Sequence, residues 1–237
     1  MMPPRLSLVI PAYNEAGRIG GTVTTVCAYL ERQPYEWELL VVIDGGPPAA
    51  ADEARAAAAG RTNVSVMVND INRGKGYSVR RGFLAAKGER VAFIDADLSL
   101  PVEGVTAMLA KLDAGADVVI ASRTAAGARE IGAPPLLRNV MSRVFNLLVQ
   151  AVAVPGIRDT QCGFKGFRAE AARRIFAAQE SDRFGFDVEA LYLARKFGYR
   201  VEELPVVCTY HDGSSVNRIG DVVKMIGDVF AIRRRHR

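Results

Sequence analysis

The run Val91-Ala92-Phe93-Ile94-Asp95-Ala96-Asp97 carries four apolar residues straight into two carboxylates spaced i, i+2. In an extended strand alternate residues point the same way, so both acids are expected on one side, just past the strand's C-terminal end. That edge is where open α/β sheets bind ligands. Two carboxylates this close repel unless a cation sits between or beside them. Hard oxygen donors of this kind suit Mg²⁺ or Mn²⁺ carrying the phosphates of a nucleotide. The bland alternative is a solvated turn after a strand, so the reading depends on what else gathers there.

The elements that must position these acids follow from periodicity. Short runs rich in Val, Ile and Leu at 6–10, 38–43, 64–68, 90–94 and 118–121 alternate with helical stretches at 19–32, 49–59, 77–87 and 102–113. That alternation predicts βαβ units and an α/β fold with a mostly parallel sheet flanked by helices. Right-handed crossovers then bring the strand-end loops to one rim. Those loops read Pro11-Ala12-Tyr13-Asn14-Glu15, Asp44-Gly45-Gly46, Asn69 to Gly76, and Asp95-Ala96-Asp97. Pro11 is expected to stop the first ladder, and Asn14 either serves the site or caps the next helix. Asn72-Arg73-Gly74-Lys75-Gly76, at the start of a helix, combines cations, glycines and free N–H groups, which suits an anion. It lacks the Walker pattern.

The second half of the chain changes character. It predicts a loop over 127–135, a helix over 136–152, a loop holding Arg158-Asp159-Thr160-Gln161-Cys162-Gly163, and a strand over 164–168. Helices over 169–178 and 186–197, one or two strands over 200–210, and a last helix over 221–233 complete the pattern. Asp159 reads as a loop cap or a site residue, and Asp187 as a helix cap or a site residue.

Composition bounds the function. The chain has 237 residues, about half of them hydrophobic, enough for one full core. The net charge of +5 is concentrated from Arg218 onward, so no general nucleic-acid surface is expected. No apolar run reaches the ~18 residues of a membrane span. Three widely spaced cysteines fit a reducing cytoplasm better than zinc or disulfides. Residues 1–215 are expected to form one domain, followed over 216–237 by an amphipathic basic helix. That helix can either lie on a membrane or pack against the domain.

Taken together, the loops Val9-Ile10-Pro11-Ala12-Tyr13-Asn14-Glu15, Asp44-Gly45-Gly46, Asn72-Arg73-Gly74-Lys75-Gly76 and Asp95-Ala96-Asp97 resemble the family 2 glycosyltransferases of GT-A fold. Ile157-Arg158-Asp159-Thr160-Gln161-Cys162-Gly163-Phe164-Lys165 and Phe186-Asp187-Val188-Glu189-Ala190-Leu191-Tyr192 look like the polyprenyl-phosphate glycosyltransferases. Within these the chain is most similar to the dolichyl-phosphate β-glucosyltransferase group, and dolichyl-phosphate mannose synthases are more distant. The resemblance spans roughly residues 5–212. It departs from the family at Ile43-Asp44-Gly45-Gly46, which has one carboxylate where two are usual.

The resemblance implies roles. Pro11, Ala12, Asn14, Glu15 and Asp44 would hold the nucleotide's base and ribose, and Lys75 the nucleotide-sugar. Asp95 would face ribose and metal, with Asp97 the main ligand of Mg²⁺ or Mn²⁺. Arg123, Arg138 and Ser142 would bind the acceptor phosphate, the last two sharing a helix face at i, i+4. Asp159 and Asp187 would orient a sugar hydroxyl or do weak base work. The implied reaction moves a hexose with inversion from UDP-glucose, or second GDP-mannose, to a polyprenyl or dolichyl phosphate. It would take place at the inner face of a membrane. The alternatives are a family 2 transferase acting on a hydroxyl and a non-catalytic nucleotide-sugar-binding module.

Overall fold

A computed structural model describes residues 2–132, 146–209 and 219–236. Its central sheet has seven strands in the order β3-β2-β1-β4-β7-β5-β8. In chain order these are β1 (Leu6–Ala12), β2 (Trp37–Ile43), β3 (Val64–Val68), β4 (Arg90–Ile94), β5 (Val118–Ser122), β7 (Phe164–Arg168) and β8 (Val201–Pro205). All neighbours pair in parallel except β7, which runs antiparallel between β4 and β5. β6 (Arg129–Ile131) and β9 (Val207–Thr209) form a separate parallel pair.

The inner strands β2, β1, β4, β7 and β5 are almost wholly buried, which is why they read as apolar runs rather than as alternating patterns, while the edge strands β3 and β8 are largely half-buried. Period two nevertheless sorts them. Leu6, Leu8 and Ile10 of β1, Leu39 and Val41 of β2, and Ala92 and Ile94 of β4 face one layer. That layer holds α1 (Ile19–Leu30), α2 (Ala49–Ala58) and α4 (Gly104–Asp113). Val9, Leu40, Val42, Val91 and Phe93 face the other. There lie α3 (Lys75–Ala85), the helical residues 146–152 (α5), α6 (Ala169–Ala178), α7 (Phe186–Lys196) and α8 (Ile219–Arg235).

The first strand continues past Pro11, contrary to expectation, and the reason is geometric. Ala12 O accepts from the Asp44 N–H at 2.8 Å, so even-numbered residues of β1 bond toward β2. Pro11 faces β4, whose pairing with β1 has already ended at Val9↔Phe93. The missing N–H therefore costs no ladder bond. The predicted loop over 127–135 contains β6, and the predicted helix over 136–152 is described only from residue 146.

The second layer is built on aromatic rings. Phe83 of α3 lies 4.1 Å from Phe176, 5.4 Å from Phe167 and 6.2 Å from Phe93, centroid to centroid. On α8, Val229 and Ile232 are buried in this same core while Phe230 is 55% exposed. Arg233 donates to Val152 O at 3.4 Å, and Arg235 pairs with Glu180 at 3.5 Å. The described part of the last helix therefore packs on the domain, and its basic end makes contacts with it. Among the described residues no helix is long and apolar enough to cross a membrane.

Phe83 ties the helix that begins at Lys75 to both sheet and α6. Replacing it with Ala should cost about 3–5 kcal/mol, the range for truncating a buried phenylalanine, measured by urea denaturation. A loss below about 1 kcal/mol would mean that the ring cluster does not anchor α3.

Candidate active site

The ends of β1, β2 and β4 and the start of α3 converge at the C-terminal rim of the sheet. Asp95 follows β4 directly, and its Oδ1 lies 2.6 Å from Lys75 Nζ. Lys75 is the first residue of α3, after Gly74 at φ 109°. Burial works against the Lys75 charge, but Asp95 and then Asp187 outweigh it and hold the ammonium above the ordinary lysine range. The two acids of the pair do not share an extended strand. The Leu98 N–H donates to Asp95 O at 3.2 Å, and the Ser99 N–H donates to Asp97 Oδ1 at 2.9 Å, so a tight turn separates them. Leu98 takes φ 48° to close that turn, and Asn14 on the facing loop takes φ 57°. Left-handed backbone at a leucine costs on the order of 1–3 kcal/mol and clusters at functional sites.

Glu15 belongs to the same group of charges. Burial raises its carboxyl above the usual range, Arg18 opposes, and the nearby negative charge of Asp97 and Asp95 raises it further. Negative charge thus accumulates at this rim. Among the described residues no trio of His, Cys, Asp and Glu is grouped to hold a metal unaided. Mg²⁺ and Mn²⁺ at nucleotide sites are commonly held by one or two carboxylates plus substrate phosphates, so Asp95 and Asp97 fit such an ion.

The other residues expected at these loops lie at or beneath the same rim. Pro11 and Ala12 end β1, buried beneath the rim. Asn14 is exposed and does not cap α1, which starts at Ile19 after an Arg18 that makes no side-chain cap. Asp44 is buried and holds the neighbouring loop. Its oxygens accept from Asn69 Nδ2 (2.8 Å), Arg73 N (2.9 Å) and Gly74 N (2.8 Å), fixing the approach to Lys75.

The segment 159–163 lies across the same rim and joins it to β5. Buried Asp159 accepts three hydrogen bonds from Arg123: backbone N (3.0 Å), Nε (2.8 Å) and Nη2 (2.9 Å). Burial alone would raise the Asp159 carboxyl, but the Arg123 guanidinium holds it below the usual aspartate range. The Arg123 side chain remains 31% exposed. Four residues on, Gly163 packs so tightly against the Asp95 carboxylate that a Cβ would overlap it. Arg138 and Ser142 lie outside the described residues.

Asp187 is neither rim-exposed nor a helix cap. It lies in the first turn of α7, buried, and pairs with the fully buried Lys165 of β7. Lys165 Nζ also donates to Cys162 O at 2.8 Å. Burial pushes the Asp187 carboxyl up, against the pull of Lys165 and Lys75. Charges thus alternate inward from the rim as Asp95, Lys75, Asp187 and Lys165. Sequence reasoning missed Lys165 as a member of the site; its signal was a lysine in the middle of the apolar strand Phe164–Arg168. It also missed Thr22, whose hydroxyl donates to Ala96 O at 2.7 Å and pins the turn from α1.

The family model described as "Glycosyl transferase family 2" matches residues 7–176. A dolichyl-phosphate beta-glucosyltransferase of Dictyostelium discoideum is 33% identical, over 98% of this chain and 74% of that protein. Those of Drosophila melanogaster and Homo sapiens are 34% and 32% identical, again over 98% of this chain, and over 75% and 76% of theirs. The chain belongs to glycosyl transferase family 2. Its fold is shared with the glucosyl-3-phosphoglycerate synthase of Mycobacterium tuberculosis. The crystal structure with phosphoglyceric acid superposes with a TM-score of 0.73 at 17% identity, over 98% of this chain and 80% of that one. The complex with Mn²⁺, UDP and glucosyl-3-phosphoglycerate gives 0.71 at 17% identity, with the same coverage.

The Arg123–Asp159 clamp yields a pH prediction. Because the folded-state Asp159 is held low, its contribution is complete above pH ~4, the ordinary aspartate value, and is lost as pH falls through the lowered one. Asp159→Asn should cost about 3 kcal/mol at pH 7 by denaturant titration, and the gap from the wild type should close in acid. A gap independent of pH would mean that the carboxylate charge is not what holds Arg123.

Proposed function

We propose that this chain transfers glucose, with inversion, from a nucleotide-diphosphate glucose to a polyprenyl phosphate of the dolichyl type. The observation that carries this reading is the state of two buried aspartates, one in the segment before β7 and one in the first turn of α7. Asp159 is committed to Arg123, and Asp187 is buried against Lys165. A hydroxyl acceptor would need a general base, and neither carboxylate is available for that work. A phosphomonoester brings its own negative oxygen, its second pKa lying near 6, and needs none.

In this reading a phosphate oxygen attacks the anomeric carbon as the bond to the nucleotide diphosphate breaks. The leaving group departs with the electron pair, and no proton has to move. A single displacement turns an α-linked donor into a β-linked product, in keeping with the beta-glucosyltransferase relatives. Lys75, aimed by Asp95, meets the charge that develops on the departing diphosphate. Asp97 and Asp95 would hold Mg²⁺ or Mn²⁺, which supplies Lewis-acid charge neutralisation there. Pro11, Ala12, Asn14 and Glu15 form the wall for base and ribose, while Asp44 supports that wall from beneath.

Arg123, with Arg138 and Ser142, receives the acceptor phosphate. UDP-glucose is favoured as donor over GDP-mannose, because the relatives are named as glucosyltransferases and one of the two solved neighbours described above was crystallised with Mn²⁺ and UDP. The lipid tail of such an acceptor stays in the bilayer, so the chain works at a membrane surface, on the cytoplasmic side. The exposed Phe230 and the arginines at the end of α8 are the candidate contacts.

Thermal stabilisation by a nucleotide panel with Mn²⁺ tests the donor: UDP at 100 times its dissociation constant should add about 2.7 kcal/mol, and GDP much less. Asp97→Ala should abolish transfer and metal-dependent nucleotide binding while the fold persists. Near wild-type turnover in that variant would refute the metal assignment. Arg123→Lys keeps the charge but loses the two-pronged fork. It should weaken acceptor use by about 1.5–3 kcal/mol in kcat/KM, with UDP binding unchanged. Unaltered acceptor kinetics would remove Arg123 from the acceptor site.

A further inference from the structure

Glu189 of α7 is a further carboxylate taken wholly out of water, and the proposed chemistry makes no use of it. Its Oε2 accepts from the backbone N–H of Ser181 at 2.7 Å and of Glu180 at 3.2 Å. Its Oε1 lies 2.7 Å from Nε2 of His236, near the end of α8. The His236 ring is nine-tenths buried and stands beside Tyr192, centroids 6.3 Å apart, and its carbonyl accepts from Lys196. α8 is thus fastened to α7 at a carboxylate whose other oxygen holds the loop 179–185.

That loop is the wall behind the start of α3. Asp182 O accepts from the Tyr77 N–H at 3.0 Å. Gln179 Nε2 donates to Ser181 O (2.7 Å) and Gly76 O (3.3 Å). The Asp182 and Ser181 carbonyls lie so close to Gly74 and Gly76 that a Cβ on either glycine would collide with them. Lys75 sits between those two glycines, which contribute no stiffness of their own and depend on the wall for their conformation. A buried carboxylate that loses a partner must loosen its remaining bonds or take up a proton.

We propose that His236 is a positioning residue for Lys75, acting through Glu189 and the loop 179–185, so that docking of the last helix tunes the donor side of the site. The kinetic side of this inference rests on the reading that Lys75 serves the donor diphosphate. The test uses the full chain with His236→Phe and His236→Ala, which remove the donor, and His236→Gln, which can restore one. His236→Phe should raise the donor KM about 5–30-fold, the ratio lost with one ordinary interaction, while the acceptor KM changes little. Amide hydrogen exchange should rise in the peptide covering 74–80 as well as in α8, and His236→Gln should recover both signals. Should His236→Phe fail to fold, His236→Ala carries the same expectations. An unchanged donor KM, or faster exchange confined to α8, would overturn the proposal. A wild type that transfers no sugar from any nucleotide donor would refute the functional reading instead, and the exchange result would still decide the coupling.

Discussion

A lysine ammonium with no water around it, Lys165 in β7, sets the terms for much of this structure. An unpaired charge at that depth is prohibitively costly, so Asp187 must meet it and Cys162 must turn its carbonyl toward it. Meeting Lys165 fixes the first turn of α7. It also fixes the register of the segment that precedes β7, and with it Asp159 and Gly163. The Phe93 ring centroid stands 5.4 Å from the Lys165 ammonium and 5.6 Å from Lys75 Nζ, so the buried cation and the rim cation share one aromatic neighbour. The rim can therefore carry an excess of negative charge without collapsing, because its counter-charge is built into the sheet below.

The same segment explains how two different anions would be handled a short distance apart. At one end Asp159 grips the Arg123 guanidinium; at the other the bare backbone of Gly163 presses on Asp95. A change in one half of the rim is felt in the other through backbone rather than through a flexible side chain. The left-handed Leu98 and the Thr22 bond to Ala96 O hold the carboxylate turn from the opposite side. Geometry that costs free energy at both edges of a site is the mark of preorganisation, in which the fold rather than the substrate bears the cost of alignment.

Much of this could be read from the amino-acid order, and the limits have physical causes. The four rim loops, the parallel strands and the helix opening at Lys75 follow from apolar runs interrupted by glycine and acid, which is local information. The antiparallel placement of β7 is not local. Nothing in Phe164-Lys165-Gly166-Phe167-Arg168 says that it inserts between strands seventy and forty-odd residues earlier. For the same reason local pattern left Asp159 and Asp187 open between cap and site residue. Their true partners, Arg123 and Lys165, are distant in sequence, and a cap is the only partner that local pattern can offer. Pro11 misled because a ladder-breaking residue is harmless where the ladder on its side has already ended. β6 was missed because three residues carry too little periodicity to register.

The position of β7 also bears on how the chain reaches this state. Among the described residues β5 has no sheet neighbour from earlier in the chain, since its partners there are β7 and β8. A chain leaving the ribosome with its first 130 residues exposed can assemble β1 to β4, but it presents the β4 edge open and leaves β5 without a berth. Closure of the sheet waits for residues 164–168, and with them for Lys165, whose charge is accommodated only when α7 follows. Folding is then ordered by sequence separation, the slow regime for a sheet of this kind. The strand that joins the two halves of the site is also the last piece that lets the sheet become continuous.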